Sequence, residues 1–208
     1  MQFLILVLIF LLIITLVYFL MKRSKVVVKK DEPLDVFIKA IELYMDKNHP
    51  KININYKHIE LPKEEKSLRI KQTLIVENII EQFYEHEFLI KSQESIPKDK
   101  LWPSYTYNSQ RNSYPNDWIK RKELAYMRDS RCCKRCGQEL ASLNEVYTSF
   151  VRPIKDGGGY NFENIIILCS DCNRIVESDS QKASIINSLK LYDNLLKFIG
   201  GWGYQKSP

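Results

Sequence analysis

The chain opens on an unbroken apolar run. From Met1 to Leu20 only Gln2 and Thr15 are clearly polar, and a helix of that length rises about 30 Å, the thickness of a bilayer's hydrocarbon core. A helix packed into a soluble core usually keeps a polar face, so the pattern predicts a membrane anchor over residues 1–21. A cleaved signal has basic residues ahead of its apolar stretch and small residues at the cut. Here no Lys or Arg precedes the run, and Tyr18, Phe19, Leu20 and Met21 close it, so the anchor is expected to stay. Lys22, Arg23, Lys25, Lys29 and Lys30 crowd a juxtamembrane segment at residues 22–30. The positive-inside rule then makes the chain a single-pass protein of the cell membrane, with its C-terminal domain in the cytoplasm.

The pattern turns amphipathic over residues 31–95. Leu34, Phe37, Ile38, Ile41 and Met45 recur at helical spacing behind Pro33, which suits a first turn. Ile52, Ile54 and Tyr56 alternate with polar residues as in a short strand. Pro62 then opens a longer helical pattern through Ile70, Leu74, Ile75, Ile79, Ile80 and Phe83. His49, His58 and His86 lack the i, i+4 pairing of a helical metal site and read as surface or packing residues. Residues 96–116 form a loop rich in Pro, Tyr, Ser and Asn; its Trp102, Tyr105, Tyr107 and Tyr114 either fix it to a neighbouring surface or stack on bases. Farther on, Val146 to Ile154 is β-prone, Gly157 to Gly159 permits a turn, and Ile165 to Leu168 suits a returning strand. A last helix is expected from Ser180 to Ile199, with Gly200 as its cap.

Composition and charge narrow the class. With 208 residues, 45% hydrophobic and 27% charged, the chain is a folded protein too short for a large multidomain enzyme. Its net charge of +6 suits DNA or an anionic lipid leaflet and does not choose between them.

The cysteines carry the sharpest signal. Cys133-Lys-Arg-Cys136 and Cys169-Ser-Asp-Cys172 are two Cys-x-x-Cys knuckles, each able to present a pair of thiolates to one tetrahedral zinc. Cys132 falls outside that spacing and reads as a bystander. A shell closed by four thiolates leaves no open position, so the zinc is structural. Because a small core contributes only a few kcal/mol and structural zinc about 10 kcal/mol or more, metal should decide whether this domain folds.

From Asp117 to Ser178 the order of features resembles the HNH nuclease domain of the His-Me finger superfamily. A helix from Asp117 to Leu124 leads through Met127-Arg128-Asp129 into the first knuckle. Then come Val151-Arg152-Pro153-Ile154, Asp156-Gly157-Gly158-Gly159, Asn161-Phe162-Glu163-Asn164-Ile165, and the second knuckle followed by Asn173-Arg174. The resemblance covers under a third of the chain. It implies a C-terminal zinc-braced ββα-metal (HNH-like) domain at residues 117–178; together with the N-terminal transmembrane helix, the mainly helical middle region and a C-terminal helix and tail at 179–208 read from the residue pattern, the chain is expected to be α+β.

That family ends its first strand in an Asp-His pair three residues before the proline. The histidine is the general base, and the aspartate helps to hold a catalytic metal. Ser149 and Phe150 stand there in this chain, while Asn164 matches the asparagine that orients the base loop and Asn173 the last metal-binding position. A phenyl ring takes no proton, serine is a poor carboxylate substitute on a hard cation, and no histidine follows His86. Losing the base alone costs a factor on the order of 10² to 10⁴ in rate. The resemblance therefore implies a degenerate nuclease with no intact catalytic set, acting as a DNA-binding or scaffold module. Lys120, Arg121, Lys122, Arg128, Arg131, Lys134, Arg135, Arg152, Lys155 and Arg174 offer phosphate contacts, with Arg135, Arg152, Lys155 and Arg174 the leading candidates. Two alternatives stay open. One is an active endonuclease using Mg²⁺ or Mn²⁺, with Asp156, Glu163 or His86 as substitute base. The other is a protein-interaction module at the membrane.

Overall fold

A computed structural model describes residues 33–106, 113–178 and 180–202, with side chains through Gly200. The anchor expected over 1–21, the basic segment 22–30 and Tyr107 lie outside the described residues. Among the described residues no helix is long and apolar enough to cross a membrane.

Helix α1, Pro33–Asn48, starts on proline, carries Asp35 in its first turn and Lys47 in its last, and buries Phe37, Ile41 and Met45 at four-residue intervals. The following stretch keeps the alternation read from its sequence, since Ile52 and Ile54 are buried, but it is not a strand. Its backbone groups bond elsewhere: Lys51 N–H donates to Cys136 O and Asn55 N–H to the Gln82 side chain. Helix α2, Leu68–Glu85, begins after Ser67 and not at Pro62, because residues 62–67 form a turn closed by Glu65 N–H to Pro62 O and by Ser67 N–H to the Glu65 carboxylate. Ile70, expected in its apolar stripe, is exposed; Ile75, Val76, Ile79, Ile80 and Phe83 form the buried face. Each such fully buried apolar side chain contributes roughly 1.5–3 kcal/mol.

Helix α3, Trp118–Arg128, precedes the first knuckle. Strands β1, Tyr147–Phe150, and β2, Ile165–Leu168, pair antiparallel with Tyr147 opposite Leu168 and Phe150 opposite Ile165. Strand β1 is shorter than the β-prone stretch, because Pro153 introduces a 3-10 turn at Ile154–Asp156 that ends on Gly157 at φ 90°. Helix α4, Ser170–Glu177, packs back on β1, completing a β-β-α unit, while α3 packs on β2. The last helix divides into α5, Lys182–Asn187, and α6, Lys190–Trp202, which runs through Gly200 instead of being capped by it. Helix α6 packs against α2. Among the described residues the arrangement is mixed α+β with one small sheet.

The described part of the loop at 96–106 is pinned to α3 and the hairpin. Trp102 Nε1 donates to Asp117 Oδ2 at 2.8 Å, and both Trp102 and Tyr105 pack on Phe162. Arg121 is fully buried. It donates to Asp117 Oδ1 at 2.7 Å, Tyr160 O at 3.0 Å and Thr106 O at 3.0 Å, and lies over the Tyr105 ring. Burial pushes the Asp117 carboxyl up, but the hydrogen bonds from Arg121 and Trp102 outweigh it and hold the group below its ordinary value.

Candidate functional site

The two knuckles meet. The Sγ atoms of Cys133, Cys136, Cys169 and Cys172 all lie within 4.8 Å of one another, and all four residues are buried. The first knuckle turns because Cys133 O accepts from Gly137 N–H and Gly137 takes φ 81°, a left-handed conformation glycine adopts without strain. Cys169 caps the N-terminus of α4, accepting from Cys172 N–H at 3.4 Å. The Cys136–Cys169 sulfur separation of 3.8 Å is far beyond a disulfide bond and close to the edge of a tetrahedron with about 2.3 Å metal–sulfur bonds, which is also about 3.8 Å. The donor set fits zinc. Hydrogen bonds from Cys136, Cys169 and Cys172 pull the Cys133 thiol down, whereas contact with Cys133 pushes Cys136 and Cys169 up. Four buried thiolates within 4.8 Å of one another would repel, so the sulfurs ionise together only around a cation. Cys132 lies outside the cluster, its thiol 3.3 Å from Ser130 O.

The residues between the cysteines anchor the cluster to its surroundings. Arg135, expected to meet phosphate, is buried instead: Nη1 lies 3.6 Å from Cys172 Sγ, and Nη2 donates to the carbonyls of Phe83, Tyr84 and His86 at the end of α2. Asp171 accepts from Lys190 N–H at 3.0 Å and Leu191 N–H at 2.8 Å, capping α6. Arg121 and Arg128 are likewise turned inward; Arg128 pairs with Asp129 and donates to Phe162 O and Ile165 O. A guanidinium whose donors are mostly taken by buried partners is turned away from a phosphate in solvent.

On the hairpin, Asn164 clamps the loop between the strands. Its Oδ1 accepts from Arg152 N–H at 2.7 Å, and its Nδ2 donates to Gly159 O at 2.7 Å and Arg152 O at 3.0 Å. Gly158 makes room for this clamp: a Cβ there would sit 2.0 Å from Arg152 O and 2.9 Å from Asn164 Nδ2. Alternation along β1 sends Ser149 and Phe150 to opposite faces. Ser149 is buried and hydrogen-bonds the carboxylate of Glu177 on α4. Phe150 packs among Trp118 and Tyr160.

Asn173 lies half-buried on α4, one turn before Glu177. Arg152, Lys155 and Arg174 are exposed. Of the substitute bases, Asp156 sits on the exposed 3-10 turn, Glu163 on the turn before β2, and His86 at the end of α2, where burial lowers its pKa. The carboxylate brought to Ser149 belongs to none of these. It is Glu177, whose only sequence signal is its position four residues after Asn173 on one helix face.

Residues 133–179 match the family model described as HNH endonuclease. That stretch includes both knuckles, the hairpin and all of α4. No curated protein and no solved structure gives a match.

Proposed function

We propose that this HNH domain is a zinc-braced DNA-binding or scaffold module that has given up hydrolysis and is held at the cytoplasmic face of the cell membrane by residues 1–21. One observation carries the loss of chemistry: the position of the family's base is Phe150, an apolar ring packed on Trp118 and Tyr160. The parts that shape the loop are kept, with Asn164 clamping it and four cysteines gathered in reach of one ion. Zinc, when bound, supplies a cross-link between the first knuckle and the start of α4 and no open coordination position. The exposed Arg152, Lys155 and Arg174 offer phosphate contacts to DNA. The tether rests on the apolar run 1–21 and its basic flank.

A second reading, an active nuclease dependent on Mg²⁺ or Mn²⁺, is favoured by Glu177. Its carboxylate meets Ser149, where the family carries its metal-binding aspartate, and a carboxylate is a suitable ligand for a hard cation. Metal analysis and plasmid nicking by the full chain separate the two. The first reading expects bound zinc, DNA binding that weakens with salt, and no nicking with either cation. Nicking abolished by Asn173→Ala and Glu177→Gln would establish the second.

A further inference from the structure

Four aromatic rings meet beside the hairpin. The Phe150 centroid lies 6.1 Å from Trp118 and 5.7 Å from Tyr160, and Trp118 and Tyr160 are 5.4 Å apart. Tyr114 covers this group, 4.9 Å from Trp118 with the planes only 31° apart, and 5.4 Å from Tyr160. Burial grades outward through the cluster. Tyr160 is buried, Trp118 and Phe150 are half-buried, and Tyr114 is 60% exposed. Tyr114 is thus supported from beneath by other rings while offering more than half of its own surface to solvent.

Basic residues neighbour these rings along the chain. Arg152 follows Phe150 by two residues and is exposed, with its Nε donating to Asp156 O at 2.6 Å, and Lys155 is exposed as well. Lys122 follows Trp118 by one helical turn and shares its side of α3. The acid beside Trp118, Asp117, is already paired with Arg121 and Trp102. An exposed, ring-backed aromatic surface with basic residues close in the chain complements a ligand that carries flat apolar faces and a string of anions. Unpaired bases on a phosphodiester backbone have both, whereas a duplex hides the base faces in its own stack.

We propose that Tyr114, Trp118, Tyr160 and Phe150 form a stacking platform for an unpaired base, so that the preferred ligand is single-stranded DNA. This rests on the DNA-binding reading above and specifies its substrate class. On this account phenylalanine at position 150 extends the platform at the place where the family keeps its base.

The test uses the full, zinc-loaded chain in detergent and measures fluorescence anisotropy with three labelled ligands of equal length: an oligothymidylate, a duplex, and an abasic strand with the same phosphates but no bases. The oligothymidylate should bind tightest. Tyr114→Ala should weaken it about fivefold or more while changing abasic binding less than about twofold, since stacking acts on bases and charge on phosphates. Tyr114→Trp should retain the preference. Equal affinity for oligothymidylate and abasic strand, or a Tyr114→Ala effect of the same size on both, overturns the platform and leaves general DNA binding standing. Failure of all three ligands to bind in a salt-dependent way overturns both.

Discussion

Arg135 and Asp171 occupy the same place in the two knuckles, directly before the second cysteine, and each ends on a helix terminus of the opposite polarity. Arg135 donates to three carbonyls at the C-terminal end of α2, and Asp171 accepts from two amides at the N-terminus of α6. Both pairings follow the helix dipole. Because α2 and α6 also pack on each other, the cysteine cluster and the helical layer hold one another in place.

Replacing Arg135 should therefore loosen the metal as well as the helix. It touches Cys172 Sγ, and residues that support metal ligands typically cost 10–100-fold in affinity when lost. Arg135→Met should lower zinc affinity by about tenfold or more, read by competition with a chromophoric chelator. Amide exchange near Phe83 to His86 should quicken in the same variant. Unchanged affinity with faster exchange would reduce Arg135 to a helix cap.

Metal removal should unfold the β-β-α unit cooperatively. Stripping zinc, or Cys169→Ser, removes a cross-link between the first knuckle and the start of α4 that contributes on the order of 10 kcal/mol. The expected result is one zinc per chain and a large fall in the circular dichroism melting temperature on chelation. A melt indifferent to chelator would count against a structural metal.

Gly158 and Asn164 should behave as one unit. Alanine at 158 drives a Cβ into Arg152 O and the Asn164 amide, with an overpacking cost of about 1–3 kcal/mol. Asn164→Ala removes the clamp that holds the same turn. In a double-mutant cycle by urea denaturation the two losses should be clearly sub-additive, since contacting residues couple. Simple additivity would mean that the clamp does not depend on the glycine.

Stability should decline in mild acid through His49. Burial holds its pKa down to about 4, against the opposing charge of Asp171. The unfolded chain takes up this proton near pH 6.5 and the folded chain only near 4, so the contribution is complete above the first value and lost as pH falls through that window. Linkage makes it on the order of 3 kcal/mol. His49→Phe should flatten the pH dependence of the denaturation midpoint relative to the unsubstituted protein, with thiolate protonation common to both. Parallel profiles would disprove the assignment.

Much of this was readable from spacing. The doubled Cys-x-x-Cys pattern announced the four-sulfur cluster, because a knuckle is a local structure and two of them need only one ion to meet. Helical periodicity located Phe37, Ile41 and Met45 on one buried face, and alternation found Ile52 and Ile54. What failed did so where a partner distant in sequence decides. Ile52 to Tyr56 looked like a strand, but Lys51 just before it bonds Cys136 and Asn55 within it bonds Gln82. The pattern from Ser180 to Ile199 looked continuous, but Asp171 caps Lys190 and Leu191 and starts a new helix there.

By itself, then, the sequence determined that Phe37, Ile41 and Met45 share a face, which four cysteines form one cluster, and that position 150 carries a phenyl ring, since each depends on residue type and local repeat. Only the tertiary structure decided which charges remain for a ligand. Arg121, Arg128 and Arg135 read as surface cations, yet folding supplies each with buried carbonyl or carboxylate partners, and a charge leaves water only when such partners replace its hydration.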